Sequence, residues 1–308
     1  MQFVRLADIF PFSFAACYGI FVSMAQLPID ADILPPSDDR IFKTLLTHPE
    51  AKPVLIDVVS AVIERPVIDV QVRNIEPPVM DTEEKAERFD VNCTVDGGVQ
   101  VDVEMHSSPV EETGDTHTGF INKYIYYLTD LHSSQKSKGV KYLDLVGTYQ
   151  VTFCGYTVFP CQPGYVSRFS LRTEQGKQLS DQINMVIVEL SKLGEILAKP
   201  VKELTTIEMW SLFFRFAPDP RHRLMLNEII NAKEEVGMAS ELLQEISKDE
   251  RERAILRSRR MAETDRVSNL LTAEARGEAR GVALGMNKVF ELLEQGVPLA
   301  EAKKILGN

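Results

Sequence analysis

The chain has 308 residues, enough for one large domain with an appendage or for two domains. Hydrophobic residues at 44% and charged residues at 26% exclude a wholly disordered or collagen-like chain. Against 34 Lys and Arg stand 45 Asp and Glu, a formal charge of −11 that excludes nucleic-acid binding through a uniformly basic surface but allows a local basic patch beside an acidic metal site.

Residues 1–30 form an apolar leader of open status. Ile9 to Leu27 is nearly all apolar, with Arg5 before it and Ser23-Met24-Ala25 at its end. Three readings stand side by side: a secretion signal or membrane anchor approaching the ~20 residues of a spanning helix, a start of translation at Met24, and an ordinary buried segment. Asp8, Pro11, Ser13 and Gly19 count against export. Everything downstream reads as cytoplasmic, with no membrane partner unless the leader is translated. The cysteines Cys17, Cys93, Cys154 and Cys161 contain no CxxC pair, so neither a zinc site nor a disulfide scaffold is indicated and a reducing compartment fits.

Over 38–65, Ile41, Phe42, Leu45 and Leu46 and then Val54, Leu55, Val58, Val59 and Val62 fall at helical spacing. His48-Pro49-Glu50 separates two helices, with Pro opening the second. From 67 to 106 the period changes to two. Phe89 to Val95 and Val99 to His106 alternate apolar and polar residues around Asp96-Gly97-Gly98, which predicts a β-hairpin.

Both apolar faces of that hairpin must point the same way, so opposed residues have numbers with an even sum. A three-residue turn pairs Val95 with Val99, which sets Asn92 opposite Asp102, Asp90 opposite Glu104 and Arg88 opposite His106. Two carboxylates then stand ~5 Å apart at their Cβ atoms, where like charges repel. A magnesium or manganese ion would relieve them, because such cations take hard oxygen ligands. A solvated polar face accounts for the same pattern, with Arg88, Asn92 and Asp102 keeping an exposed sheet soluble.

A helix over Thr118 to Ser137 places Phe120, Tyr124, Tyr127 or Leu128, and Leu131 on one stripe that reads as core. Lys123, Lys136, Lys138 and Lys141 gather around this helix and its exit. They are candidates for a clamp on DNA phosphates, although a lysine cluster is more often a solvated turn. Tyr149 to Phe159 and Ile183 to Leu190 read as strands, and the pattern is helical beyond Lys202, with Trp210, Phe213, Phe214 and Phe216 as aromatic core. Residues 246–280 are rich in both charges and predict an exposed arm loosened by glycines. Val289 to Leu306 reads as two short helices around Gly296-Val297-Pro298, suited to a partner or to homo-oligomer contact.

Taken in order, Asp39-Arg40-Ile41-Phe42-Lys43, Arg88-Phe89-Asp90-Val91, Val103-Glu104-Met105-His106, Tyr126-Tyr127, Ser133-Ser134-Gln135 with Lys138-Gly139, and Tyr142 resemble the PD-(D/E)XK nuclease family transposases, or recombination-promoting nucleases. The resemblance covers roughly 36–160 well and the C-terminal part more loosely. It implies an α/β protein with a restriction-endonuclease-like core over 31–200, a mixed sheet flanked by helices, and a helical C-terminal region over 201–308. It also implies DNA cleavage with Mg²⁺ or Mn²⁺, Asp90 and Glu104 as the metal-binding acids, and Asp39 as the early acidic position. Gln135 and Tyr142 resemble a glutamine and a tyrosine that accompany the active site in related nucleases. Glu189-Leu190-Ser191-Lys192 resembles a strand-end motif with no chemistry attached.

His106 departs from the pattern, standing where the general motif has lysine and this subfamily glutamine. It can orient water as glutamine would, or act as a cation or base. The departure keeps a second class open, a catalytically inactive nuclease-fold module that binds DNA or a protein partner.

Overall fold

The computed structural model describes residues 25–73, 91–107, 116–136 and 139–298, together with 301 and 305. Six strands form one sheet: β1 (Val70–Val72), β2 (Val91–Val95), β3 (Gln100–His106), β4 (Thr148–Cys154), β5 (Val166–Ser170) and β6 (Ile183–Glu189). The described helices are α1 (Asp39–Leu46), α2 (Lys52–Ile63), α3 (Thr116–Ser133), α4 (Thr206–Phe216), α5 (Arg223–Ala232), α6 (Glu234–Lys248) and α7 (Glu250–Glu294). The strand order is β1-β2-β3-β4-β6-β5. β3, β4 and β6 run parallel, while β1–β2, β2–β3 and β5–β6 are antiparallel, so the expected mixed sheet flanked by helices is present.

Local chemistry accounts for the first helices. The Asp38 carboxylate accepts the backbone N–H groups of Arg40 and Ile41 at 3.1 and 3.3 Å, capping α1, while Ile41, Phe42, Leu45 and Leu46 are buried. The proline that opens α2 is Pro53, not Pro49. Its missing N–H costs nothing in the first turn, whereas Pro49 lies in the preceding turn, which the Ala51 N–H closes onto the His48 carbonyl.

The odd-numbered residues of β2 and β3 enter the core, with Val91, Cys93, Val101 and Val103 fully buried. On that core Phe42, Phe153 and Phe214 meet pairwise at 5.2 to 5.9 Å, and Trp210 stacks on Phe214 at 5.6 Å. The Trp210 indole donates to Asp57 Oδ2 at 2.7 Å. These contacts make α4 part of the core under the sheet, and the compact unit runs to Lys248. A second unit begins at Asp249 and contains α7.

The opposite, polar side of β3 is covered too. Phe120, Tyr124 and Leu128 of α3 pack with Cys154, Val158, Met185 and Ile187. Asp102 is 0% and Glu104 3% exposed, which overturns the reading of a solvated polar face. The alternation is that of a sheet with two covered faces, one apolar and one polar.

Several boundaries differ from expectation. β4 ends at Cys154 rather than Phe159, and the short edge strand β5 had no sequence signal. α3 spans Thr116–Ser133 rather than 118–137. α7 is a continuous helix of 45 residues, and the expected first short helix from Val289 is its last part, ending at a turn with Gly296 at φ 80°. The following helix and residues 1–24 lie largely outside the described residues. Among the described residues no helix is long and apolar enough to cross a membrane.

Two long-range contacts shape the unit. Residues 26–34 run against α5 and α6: Leu27 N–H donates to Asn227 Oδ1 at 2.8 Å and Leu34 N–H to Ser247 Oγ at 2.9 Å, with Leu27, Ile33 and Leu34 buried. At the far end of β3, Gly155 N–H donates to the His106 carbonyl at 2.9 Å. A Cβ on Gly155 would lie 2.6 Å from the Ser107 carbonyl oxygen, and backbone cannot swing away as a side chain can. Gly155→Ala is therefore expected to cost about 1–3 kcal/mol in urea unfolding. A change below about 0.3 kcal/mol would contradict the close approach.

Candidate active site

The hairpin register is the expected one wherever both strands are described. Val91 pairs with Val103, Asn92 with Asp102, Cys93 with Val101 and Thr94 with Gln100. The turn Asp96–Gly98 holds Gly97 and Gly98 at φ 74° and 82°, a region that favours glycine. Asp96 fastens this turn by accepting the backbone N–H groups of Ile68 and Asp69. Asp90 and Arg88 lie outside the described residues, so of the two expected metal-binding acids the structure describes Glu104.

The parallel ladder aligns Asp102 with Gln150, Glu104 with Thr152 and His106 with Cys154. Gln150 Nε2 donates to Asp102 Oδ2 at 2.9 Å. Burial pushes the Glu104 carboxyl above the usual carboxylate range, against the pull of the Lys123 ammonium and hydrogen bonding with Tyr124 and Asp102. Lys123 Nζ lies 3.8 Å from Glu104 Oε2. Glu104 Oε1 has no hydrogen-bond partner among the described residues.

His106, at the end of β3, has Nδ1 2.9 Å from the Tyr156 hydroxyl. Its ring packs on Phe120 at 5.5 Å and Tyr124 at 6.1 Å. Burial chiefly, and then the Lys123 charge, lower its pKa to about 4, while Asp39 on the first turn of α1 acts the other way. Asp39 is thus within electrostatic reach of His106. One end of β3 gathers Asp39, Glu104, His106 and Lys123 from three separate elements.

Tyr156 is the residue of this cluster that sequence reasoning missed. It lies just past β4, and only its place in an apolar-aromatic run marked it, which signals core and not a partner for His106.

The other expected residues sit elsewhere. Gln135 Nε2 donates to the Val146 carbonyl and Thr148 Oγ1 at 3.0 and 2.9 Å, and its Oε1 accepts the Val146 N–H at 2.9 Å. Its amide holds the approach to β4, and Thr148 lies four residues along the strand from Thr152, about 13 Å from the level of Glu104. Tyr142 is 79% exposed, with Lys136 Nζ 4.8 Å from its ring centre. Lys141 is exposed beside it and Lys138 lies outside the described residues. From Lys123 to Lys136 is about 20 Å of helix-length chain, so these two lysines do not form one cluster.

Glu189 and Lys192 have a structural task. The buried Glu189 Oε1 accepts the backbone N–H groups of Val158 and Phe159 at 2.7 and 3.0 Å, and Oε2 accepts from Lys192 Nζ at 2.8 Å. Lys192 also donates to the carbonyls of Phe159 and Gln162. The pair pins the segment that carries Tyr156 to the end of β6.

Among the described residues no three His, Cys, Asp or Glu side chains converge as a metal cage. What is present is a buried carboxylate with one unsatisfied oxygen among hydroxyl and amide oxygens, a donor set suited to a hard cation rather than to zinc.

A family model described as PD-(D/E)XK nuclease family transposase matches residues 36–273 of the chain. Comparison with curated proteins finds no match, and comparison with solved structures finds none either.

Proposed function

The chain belongs to the PD-(D/E)XK nuclease family transposases, and on that premise we propose that it is a metal-dependent DNA endonuclease, hydrolysing phosphodiester bonds at the Glu104 end of β3. The family carries a nuclease role, and the mixed six-stranded sheet flanked by helices is a restriction-endonuclease-like architecture. The observation that supports the finer reading is Glu104 itself. A carboxyl at 3% exposure with an unsatisfied oxygen is costly to keep, and a hard cation would complete it.

Glu104 and Asp90 would hold Mg²⁺ or Mn²⁺. When bound, such an ion polarises the scissile phosphate and eases deprotonation of water. His106, neutral and held at Nδ1 by Tyr156, orients the water through its other ring nitrogen. Asp39 adds negative charge near His106 and assists in holding the cation. Lys123, Lys136, Lys138 and Lys141 contact DNA phosphates, with Gln135 and Tyr142 shaping the flanking surface. The unpaired thiols Cys93, Cys154 and Cys161 support a cytoplasmic location.

Plasmid cleavage by the purified protein with Mg²⁺ or Mn²⁺, beside Glu104→Ala, tests the reading. A second reading, a catalytically silent module binding DNA or protein through its C-terminal helices, is favoured by His106 in place of the motif lysine. Homo-oligomer contact through those helices draws support from Leu271, Val282 and Phe290, all exposed along α7. DNA or partner binding without cleavage by wild type would select the silent module.

The depressed pKa of His106 gives a prediction of its own. His106→Gln is expected to keep cleavage within about tenfold of wild type, with the two rate profiles parallel from pH 5.5 to 8.5. A histidine-like titration present only in wild type would contradict this. In metal-free protein the unfolded chain binds a proton between about pH 6.5 and 4 that the folded chain does not. Stability present above that window therefore falls by up to about 3 kcal/mol as pH drops through it, and His106→Gln should remove that part of the fall.

A further inference from the structure

We propose that Lys123 is the catalytic cation of this site, touching the scissile phosphate, and not one of the lysines that merely grip the DNA backbone; the assignment rests on the nuclease reading above. In the hydrolysis a water oxygen bonds to phosphorus and sheds a proton to solvent. The bond from phosphorus to the leaving sugar oxygen breaks, and that oxygen takes up a proton. Negative charge grows on the phosphoryl oxygens in the transition state, and a preorganised positive group beside them lowers the barrier.

The His106 ring packs on Phe120 and Tyr124 with Nδ1 at the Tyr156 hydroxyl, in the water-orienting place given it above. Lys123 is placed to supply the positive charge. Its ammonium lies 3.8 Å from Glu104 Oε2, too far for a hydrogen bond but close enough to share the same ligand space. Among the described residues its contacts are the Glu104 carboxylate and the faces of Tyr124 and Tyr127, none of them a hydrogen bond.

Its side chain is 38% exposed, open to a substrate that Glu104 alone could not reach from its burial. The ring centres of Tyr124 and Tyr127 lie 4.8 and 5.2 Å from Nζ and fix the direction of the flexible stem. Helix geometry puts it there: Phe120, Tyr124 and Leu128 anchor α3 on the sheet, and Lys123 flanks that buried stripe.

A backbone clamp and a catalytic cation differ in what they change. A clamp binds substrate and transition state alike and acts on KM, whereas a group engaged in the transition state acts on kcat. Lys123→Ala is expected to lower kcat at least about 10²-fold with KM for plasmid nearly unchanged. Lys123→Arg, which keeps the charge, should recover at least about tenfold of that loss.

Lys123→Gln preserves length without charge and must fall with Lys123→Ala, which covers the case in which the smaller residue disturbs folding. Unchanged kcat in both uncharged variants, with or without a raised KM, overturns this assignment and leaves the nuclease reading standing. Wild-type protein that cuts no DNA overturns both.

Discussion

Glu104→Ala and Asp90→Ala are each expected to reduce plasmid cleavage by at least about 10³-fold while the protein remains folded. For Glu104 the two halves of the expectation have one cause. Burial already disfavours its charged form, so the carboxylate stays in place at the expense of stability, and removing it relieves that penalty. Circular dichroism and urea unfolding should show Glu104→Ala as stable as wild type or more so, and the isosteric Glu104→Gln should be equally inactive. Cleavage at the wild-type rate in both alanine variants would sink the site.

The largest stability effect is expected away from the chemistry. Glu189→Ala removes the acceptor of two backbone N–H groups and of the Lys192 ammonium in a fully buried place, leaving all three without their partner. Breaking a buried pair from one side costs about 3–5 kcal/mol. Glu189→Gln keeps an acceptor for the backbone and should lose less. Urea midpoints of the two variants check this, and a loss below about 1 kcal/mol for Glu189→Ala would contradict it. Since the pinned segment carries Tyr156, the alanine variant should also loosen His106 and slow cleavage.

These two residues show what can be read from the chain alone. The hairpin register was legible because parity and a three-residue turn leave one solution, and the described pairs obey it. The resemblance singled out Asp39, Glu104 and His106, and the structure brings them near one end of β3. The burial of Asp102 and Glu104 was not legible, because polar alternation reads as a wetted face unless the covering helix is known. α3, which covers it, is separated in sequence from β3 and announces only its own apolar stripe. Glu189-Leu190-Ser191-Lys192 was visible as a pattern without a task, since its partners Val158, Phe159 and Gln162 offer backbone groups that carry no sequence signature. Lys123 looked like one of four similar lysines, and only the distance to Glu104 separates it from the rest.

The contact of residues 26–34 with α5 and α6 bears on biosynthesis. Leu34 is bonded to Ser247, 213 positions further along the chain, and Leu27 to Asn227, 200 positions further along. During translation at about 5–20 residues per second, Leu27, Ile33 and Leu34 emerge roughly 10–40 s before the helices that bury them. Throughout that interval the partners that α5 and α6 supply to this apolar strip are not yet made. The segment that packs against α5 and α6 in the finished unit is thus a place for a chaperone to hold while the protein is being made.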